Sequence, residues 1–279
     1  MYDHSAIGPG RMTADMRIVT FVKYVPDAAG DRTFNDDNTV DRESDGILSE
    51  LDEYAVEEAL KIKEAVGDAE VIALTVGPED AEDAVRKALQ MGADSGVHVD
   101  DEDIEGTCAV GTAKVLAAAI KAYEEEEEEQ VDLILTGLSS TDGGMSVMPT
   151  MVAELLGRPA ATQASEVTVE GSTVRIRRDG DTSSQFIEVN LPAVVSVTDQ
   201  INEPRYPSFK GIMAAKKKPI DYYDLEDIEL DEAEVGFDGA TTQVVNIAER
   251  PPRTAGEIVT DEGEGGNQLV EWLASKKLV

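Results

Sequence analysis

The chain has 279 residues and a formal net charge of −34, from 58 acidic and 24 basic side chains. A field of that sign repels nucleic acid and anionic membrane surfaces, so neither is an expected partner. The acids are spread through nearly every segment, which favours a salt-adapted surface over a few acidic tails. Molar salt shortens the Debye length to about 3 Å and screens such self-repulsion. The composition therefore predicts a protein of a halophilic organism.

The N-terminal segment lacks the apolar core and the basic front of a signal peptide. No stretch reaches the roughly 20 apolar residues that span a bilayer. We therefore expect a cytoplasmic protein without direct membrane insertion, with a loose tail at 1–15 and structure from Met16. Met1, Met12 and Met16 are each compatible with the true start.

From Met16, short apolar runs alternate with segments of helical spacing. The runs are typical of buried parallel strands and lie at 17–25, 70–77, 95–99 and 131–137. The helical segments lie at 52–66, from Pro78–Glu79 to Gly92, from Ala109 to Tyr123, and from Met148 to Gly157. This alternation predicts an α/β fold with a doubly wound, mainly parallel, Rossmann-like sheet.

The composition changes after the last of these helices. Residues 160–200 alternate with a period of two and contain the turn signals "VEGS" and "RDGD", which predict a β-rich addition with hairpins. Within it, "LPAVVSV" at 191–197 is compatible with a return to the main sheet. We expect one nucleotide-binding domain at 16–219. The acidic stretch at 220–279 has few long apolar faces and predicts an extended C-terminal arm that packs on a partner and ends in a short helix at 267–279.

The loop after the fourth strand, "TGLSSTDGGMS" (136–146), is the first candidate site. Ligands of an open parallel sheet bind beyond the carboxyl ends of its strands. Backbone N–H groups of such a glycine-containing loop, together with the next helix, can hold a phosphate. The loop matches neither GxxxxGK[ST] nor GxGxxG. The residues alone leave a second possibility open, a polar turn in which Ser146 or Asp142 caps the next helix.

No catalytic residue and no metal ligand can be assigned from the sequence. Cys108 is the only cysteine, so it has no disulfide or CxxC partner. His98, in "GVHVD", leaves a His–carboxylate or Ser–His system possible. The run Glu124–Glu129 is typical of a solvated helix end. Any redox chemistry has to come from a cofactor, because no side chain here carries electrons reversibly.

Several stretches, in this order and spacing, resemble the beta subunits of electron transfer flavoproteins: "VKYVPD", "EYAVEEALKIKE", "ALQMGAD", "VDLILTG", "LPAVVSV", "NEPRYPSFKGIMAAKKKP" and "PPRTAG". The resemblance covers roughly 16–256. It implies a heterodimer with an alpha subunit that carries the redox FAD. Such pairs pass electrons from flavin dehydrogenases, such as acyl-CoA dehydrogenases, to a membrane quinone reductase. The resemblance further implies an adenine nucleotide in this chain, either structural AMP or, in electron-bifurcating members, a second FAD that exchanges a hydride with NADH.

The resemblance also implies which residues bind the nucleotide. They are Phe21 on the first strand, Ser49, Glu50, Leu51 and Asp52 in a loop before the first helix, Thr75 on the second strand, and Gly137, Leu138, Ser139, Ser140, Thr141, Asp142, Gly143, Gly144, Met145, Ser146, Val147 and Met148 after the fourth. The chain departs from the family's usual Asn-Pro at 49–50 and from its usual residues at Gly143, Gly144, Val147 and Met148. The choice between AMP and FAD therefore stays open.

A partner-docking loop is implied within 202–219. Its residues are Tyr206, Pro207, Ser208, Phe209, Lys210, Gly211, Ile212, Met213, Ala214 and Ala215. Phe209 stands where the family commonly has a leucine that fills a pocket on the dehydrogenase, and the basic residues around it predict a local positive patch. Two alternatives stay open: Phe209 packs into its own domain, and the whole chain is a stand-alone adenine-nucleotide hydrolase. The absence of an SGGxDS motif argues against the hydrolase.

Overall fold

In the computed structural model we describe residues 16–30, 33–42, 46–254, 256 and 258–279. The tail expected at 1–15 lies outside these ranges. The chain divides into two compact units, the first ending at Val244 and the second beginning at Val245.

The strands are short. They are β1 (Met16–Phe21), β2 (Tyr24–Pro26), β3 (Gly46–Leu48), β4 (Ala69–Val76), β5 (Ser95–Val99), β6 (Leu133–Thr136), β7 (Ala160–Ala164), β8 (Glu166–Glu170), β9 (Thr173–Asp179), β10 (Ser184–Asn190), β11 (Ala193–Val197) and β12 (Ile220–Tyr223). Of these, β1, β4, β5, β6 and β11 are the mainly buried strands of the central sheet. The helices are α1 (Glu50–Val66), α2 (Glu82–Met91), α3 (Ala109–Glu126), α4 (Met148–Leu156), α5 (Phe209–Ala215), α6 (Gly236–Gly239) and α7 (Gly265–Ser275).

Seven strands form the central sheet in the order β12-β5-β4-β1-β6-β11-β7. Every neighbouring pair in this sheet is parallel. From β1 the chain first adds β4 and β5 on one side and then crosses to β6 on the other. The carboxyl ends of β1 and β6 therefore flank the topological switch point, where ligands of such sheets bind. The predicted doubly wound α/β fold is confirmed.

The helices cover both faces of the sheet. Ile18 belongs to the core cluster that contains residues of α1 and α2, and its neighbour Val19 belongs to the cluster that contains residues of α3 and α4. Successive side chains of a strand point to opposite faces, so this alternation assigns each helix pair to its own face. Near-continuous apolar strands such as β6, "LILT", are typical of a sheet buried on both faces.

The β-rich addition is a separate antiparallel sheet in the order β10-β9-β8. The sequence pattern placed 160–164 in this addition, but β7 pairs with β11 in the central sheet. Strand β11, within 191–197, returns to the central sheet beside β6, in agreement with the sequence pattern. Two short elements gave no clear sequence signal. Strand β12 has four residues, of which only Tyr223 is buried, and helix α5 has seven residues, too few for a helical period to be recognised.

The second unit contains α7, which ends four residues before the end of the predicted terminal helix. None of the residues of α7 is buried, and Leu269, Val270 and Trp272 are exposed. Within the ranges that we describe, the helices are too short or too polar to cross a membrane.

Candidate functional site

The first turn of α1 lies against the loop that follows β6. The hydroxyl oxygen of Ser49, at the N-cap position of α1, accepts a hydrogen bond from the backbone N–H of Thr141 at 3.2 Å. A Cβ atom at Gly137 would lie 2.5 Å from the carbonyl oxygen of Leu51 and 2.7 Å from Oδ1 of Asp52, so only glycine allows this approach. Two segments predicted from the resemblance are thus in contact. Glu50, Leu51 and Asp52 belong to α1, and their placement in a loop was wrong.

Asp142 is held at the centre of this loop by two cations. Its Oδ2 accepts hydrogen bonds from Nζ of Lys23 at 2.9 Å and from Nη2 of Arg42 at 2.5 Å. Its Oδ1 accepts from Lys23 Nζ at 3.0 Å and from the backbone N–H of Gly143 at 2.7 Å. Burial acts to raise the pKa of Asp142, but the charge of Lys23 and the hydrogen bonds from Arg42 and Lys23 outweigh it and hold the pKa well below its usual range. The carboxylate is therefore ionised at neutral pH.

Asp52 is a second buried carboxyl group of the same site. Its Oδ2 accepts a hydrogen bond from the backbone N–H of Lys23 at 3.0 Å. Burial raises the pKa of Asp52 to about 7, although this hydrogen bond and the charge of Lys23 act to lower it. Asp52 and Asp142 lie in one site, but near neutral pH Asp142 is charged while Asp52 is only partly so.

Two threonine hydroxyls near the carboxyl ends of β1 and β4 have no hydrogen-bond partner in the part of the chain that we describe. They are Oγ1 of Thr20 and Oγ1 of Thr75, and both are buried. By strand alternation both point to the face covered by α1 and α2. Buried hydroxyls are normally satisfied by protein, water or a ligand, so these atoms are suitable contacts for a polar molecule at the switch point. The side chain of Phe21 packs on the opposite face of the sheet and therefore does not lie beside these two hydroxyls.

The outer half of the loop faces solvent. Gly143, Gly144, Met145 and Ser146 are exposed, and Gly144 and Ser146 have φ values of +62° and +56°. Helix α4 then begins at Met148 without a side-chain cap at its N-terminus. The alternative in which Ser146 or Asp142 caps this helix is therefore wrong.

Sequence reasoning missed three residues of this site: Lys23, Arg42 and Thr20. Lys23 had a usable signal, since it lies two residues beyond the end of β1 in "VKYVPD". Arg42 lies in the connection between β2 and β3, 100 residues from Asp142 in the chain. Nothing in the local pattern of that connection indicates the contact.

The segment from Asn202 to Pro219 begins with polar contacts to α1. Nδ2 of Asn202 donates to the carbonyl oxygen of Tyr54 and to Oε2 of Glu58, each at 3.0 Å. Further along, Gly211 of α5 packs on α2, where a Cβ atom would lie 2.5 Å from the carbonyl oxygen of Gln90. The loop expected here thus contains a short helix, α5, that packs on α2, and the chain before it is held to α1 at Asn202.

The outward face of this helix is apolar. Phe209 is 81% exposed and the preceding Tyr206 is 94% exposed. Ile212 and Met213 follow Phe209 at the three- and four-residue spacing that aligns side chains on one helix face, and both are exposed. We call Tyr206, Phe209, Ile212 and Met213 the α5 patch. The alternative in which Phe209 packs into the core of its own domain is wrong.

The basic residues of this segment have two different environments. Arg205 forms ion pairs with Glu57 and Glu64 of α1. Lys218 donates from Nζ to the carbonyl oxygens of Leu89 and Ala93 at the C-terminal end of α2, and burial lowers its pKa. The other three, Lys210, Lys216 and Lys217, are exposed. The positive patch expected from five basic residues is therefore formed by these three.

Three other places were candidate sites: His98, a groove along α3 and clusters of metal-ligating side chains. His98 is buried, and its Nε2 lies 2.8 Å from the carbonyl oxygen of Gly77, so this contact does not form a catalytic pair. A groove of about 710 Å³ lies along α3, but none of the predicted site residues lines it. Within the described ranges no cluster of His, Cys, Asp or Glu side chains is arranged to hold a metal ion.

The fold and this site define a doubly wound parallel α/β domain in which the loop after β6 lies at the switch point, where ligands of such domains bind. A family model described as "Electron transfer flavoprotein domain" matches residues 37–228. The chain is 44% identical over 268 residues to "Electron transfer flavoprotein subunit beta" of Mycobacterium tuberculosis strain H37Rv, covering 94% of this chain and 99% of that protein. It belongs to the electron transfer flavoprotein family.

More distant relatives carry the same name. The chain is 32% identical over 270 residues to "Electron transfer flavoprotein subunit beta" of Megasphaera elsdenii, covering 95% of this chain and all of that protein. For the protein of the same name from Bacillus subtilis the identity is 34% over 235 residues, with 84% and 88% covered. The similarity extends over both units of the chain, and the resemblance to beta subunits predicted from the sequence is confirmed.

Proposed function

We propose that this chain is the beta subunit of a heterodimeric electron carrier whose alpha subunit holds the redox FAD. The FAD supplies reversible electron transfer, which amino-acid side chains do not provide here. Electrons pass from flavin dehydrogenases, such as the acyl-CoA dehydrogenases of fatty acid oxidation, to a membrane quinone reductase. The chain contributes structure, nucleotide binding and partner docking, and is not itself an enzyme.

The exposure of the α5 patch is the observation that carries this proposal. Apolar side chains that face solvent on a fixed element are typical of a binding surface, and a few buried aromatics contribute most of the energy of an interface. Phe209 is the anchor of this surface, and Lys210, Lys216 and Lys217 beside it favour a partner with acidic residues around an apolar pocket. The exposed apolar residues of α7 are suited to packing on the alpha subunit.

The switch-point site is proposed to bind an adenine nucleotide, with AMP as the ligand. The residues there are compatible with this ligand: the unpartnered hydroxyls of Thr20 and Thr75 are suitable hydrogen-bond partners, and the loop at Gly137–Val147 offers backbone N–H groups to a phosphate. Of the predicted residues, Ser49 and Asp52 shape the site and Gly143–Ser146 form its exposed edge. We further propose a cytoplasmic location in a halophilic organism, because the net charge of −34 suits a salt-rich interior.

The cofactor content of the complex tests this proposal. The chain is produced together with the alpha subunit of its organism, and flavin and AMP are released by acid and counted per heterodimer. One FAD and one AMP are expected. Two flavins and no AMP would instead indicate an electron-bifurcating form with FAD in this subunit. Failure of the two chains to co-purify, or hydrolysis of ATP by this chain alone, would contradict the proposal.

A further inference from the structure

Asp142 connects three separate parts of the chain at the switch point. Lys23 follows β1, Arg42 belongs to the connection between β2 and β3, and Asp142 lies in the middle of the loop after β6. The Asp142 side chain is only 2% exposed, whereas those of Lys23 and Arg42 are 43% and 42% exposed. Two cations that remain partly exposed thus converge on one buried carboxylate.

Such a cluster can act on a phosphate in two ways. The cations can bind the phosphate directly, with Asp142 as their partner until it arrives. Alternatively, the cluster can fix the loop so that its backbone N–H groups face the phosphate. Direct binding would take two cations from a buried carboxylate and place a second anion beside it. Removing the partners of a buried charge is strongly unfavourable.

We propose that Lys23, Arg42 and Asp142 are positioning residues that hold the loop in its binding conformation, an inference that rests on the proposed nucleotide function. The loop conformation is held at further points on either side of Asp142. The N–H of Thr141 donates to Ser49, and the N–H of Gly144 donates to the carbonyl oxygen of Ser140 at 3.0 Å. The ion cluster joins this short turn to β1 and to the β2–β3 connection.

The two roles predict opposite effects of the substitution Asp142→Asn. If the cluster positions the loop, loss of the charge releases Arg42 and Lys23, the loop loosens and AMP binds more weakly. If the cations contact the phosphate, the same substitution frees two positive charges and removes a negative one, so AMP binds more tightly. The Asn side chain keeps an oxygen that can accept from the N–H of Gly143.

Titration calorimetry with AMP on heterodimers freed of nucleotide measures whether the substitution weakens or tightens AMP binding. We expect Asp142→Asn and Arg42→Gln each to weaken AMP binding roughly tenfold, the scale of a lost charged hydrogen bond. The double variant is expected to bind AMP no more weakly than Asp142→Asn alone, because Arg42 acts through Asp142. Arg177→Gln, which removes an exposed ion pair with Glu166 in the separate antiparallel sheet, is the matched control and should bind AMP normally. Tighter or unchanged binding by Asp142→Asn, or fully additive losses, would overturn the inference.

Amide hydrogen exchange of the loop tests the positioning role without any nucleotide, and therefore independently of the proposed function. In the heterodimer without nucleotide, the amides of Thr141 and Gly144 should exchange faster in Asp142→Asn than in the unaltered protein, while the amides of β1 stay unchanged. If the unaltered heterodimer binds neither AMP nor FAD in this subunit, the proposed function fails, but this measurement still tests the positioning role. Unchanged exchange at both amides would contradict it.

Discussion

The guanidinium group of Arg205 and the carboxylate of Glu57 form a two-point ion pair between the segment Asn202–Pro219 and α1. Nε of Arg205 donates to Oε2 of Glu57 at 2.7 Å and Nη2 donates to Oε1 at 3.0 Å. The backbone N–H of Arg205 also donates to Oε2 at 3.1 Å. The Glu57 side chain is only 8% exposed. Paired guanidinium–carboxylate contacts of this kind fix direction as well as distance, so Arg205 sets where the chain enters the α5 patch.

We therefore expect Arg205→Gln to weaken docking although Arg205 is not part of the α5 patch. The substitution leaves the Glu57 carboxylate buried without its guanidinium partner, at a cost of roughly 1–3 kcal/mol after allowance for the exposure of Arg205. The apparent affinity for the dehydrogenase should fall and the melting temperature should drop by a few degrees. Arg175→Gln, at an exposed pair with Glu188 in the antiparallel sheet, is the control. Unchanged affinity in Arg205→Gln would show that the pair does not position the patch.

Lys218 and Lys217 are neighbours in sequence with different predicted roles. Lys218 satisfies two carbonyl oxygens at the end of α2, whereas Lys217 is exposed. Cations at a helix C-terminus stabilise it, so Lys218→Met should lower the free energy of unfolding by about 1–2 kcal/mol. Lys217→Met should leave it within about 0.5 kcal/mol. Thermal denaturation of both variants in the same salt tests this, and equal effects would remove the structural role of Lys218.

Asp52 should make the protein less stable as the pH rises from about 4 to about 7. The pKa of its carboxyl group is about 7 in the folded chain, against about 3.9 for an unfolded aspartate. Between these values the folded state binds more protons, so the free energy of unfolding falls with increasing pH. Asp142, whose pKa is lowered, contributes in the opposite direction, with stability that is lost as the pH falls below about 4.

Asp52→Asn is therefore expected to raise the free energy of unfolding at pH 8 by on the order of 1–3 kcal/mol, which corresponds to several degrees in melting temperature. This gain should disappear toward pH 4. Asp181→Asn, at an exposed turn of the antiparallel sheet, removes a charge of the same kind and serves as the control. A destabilised Asp52→Asn variant at pH 8 would mean that the ionised carboxylate is needed for the fold.

Salt should stabilise the heterodimer because the charge of this chain is strongly unbalanced. At low ionic strength the surface carboxylates of a body with net charge −34 repel one another over about 10 Å or more, and molar salt reduces this range to about 3 Å. We expect the melting temperature to rise steadily from low to molar KCl. A flat dependence would contradict the halophilic origin that we propose.

The sequence predicted the parts of the molecule that depend on local patterns. Apolar runs and helical spacing identified β1, β4, β5 and β6 together with the helices between them, because buried parallel strands and amphipathic helices have distinct periods. The loop at 136–146 followed from the rule that ligands of an open parallel sheet bind beyond the carboxyl ends of its strands. The contact of Arg42 with Asp142 was not predictable, since it joins residues 100 positions apart through a connection without a regular pattern. The same holds for Arg205 and Glu57, which are 148 positions apart.

The role of Phe209 is the most direct test of docking. Phe209 is 81% exposed, so Phe209→Ala removes little buried surface and should leave the melting temperature, the flavin content and the assembly of the heterodimer nearly unchanged. If the ring fills a pocket on the dehydrogenase, the substitution should cost about 2 kcal/mol or more of binding, roughly thirtyfold in affinity.

Phe186→Ala is the matched control for this experiment. Phe186 is also exposed, at 61%, but it lies on β10, and the guanidinium of Arg175 lies over its ring at 5.0 Å. Replacing it should not change electron transfer from the dehydrogenase.

Charge reversal at Lys216 and Lys217 should slow association at low salt, with an effect that shrinks in molar salt because charge steering is screened. In a salt-rich cell the apolar contact should therefore contribute more to docking than these lysines do. Normal transfer rates in Phe209→Ala over a range of dehydrogenase concentrations would exclude Phe209 as the anchor.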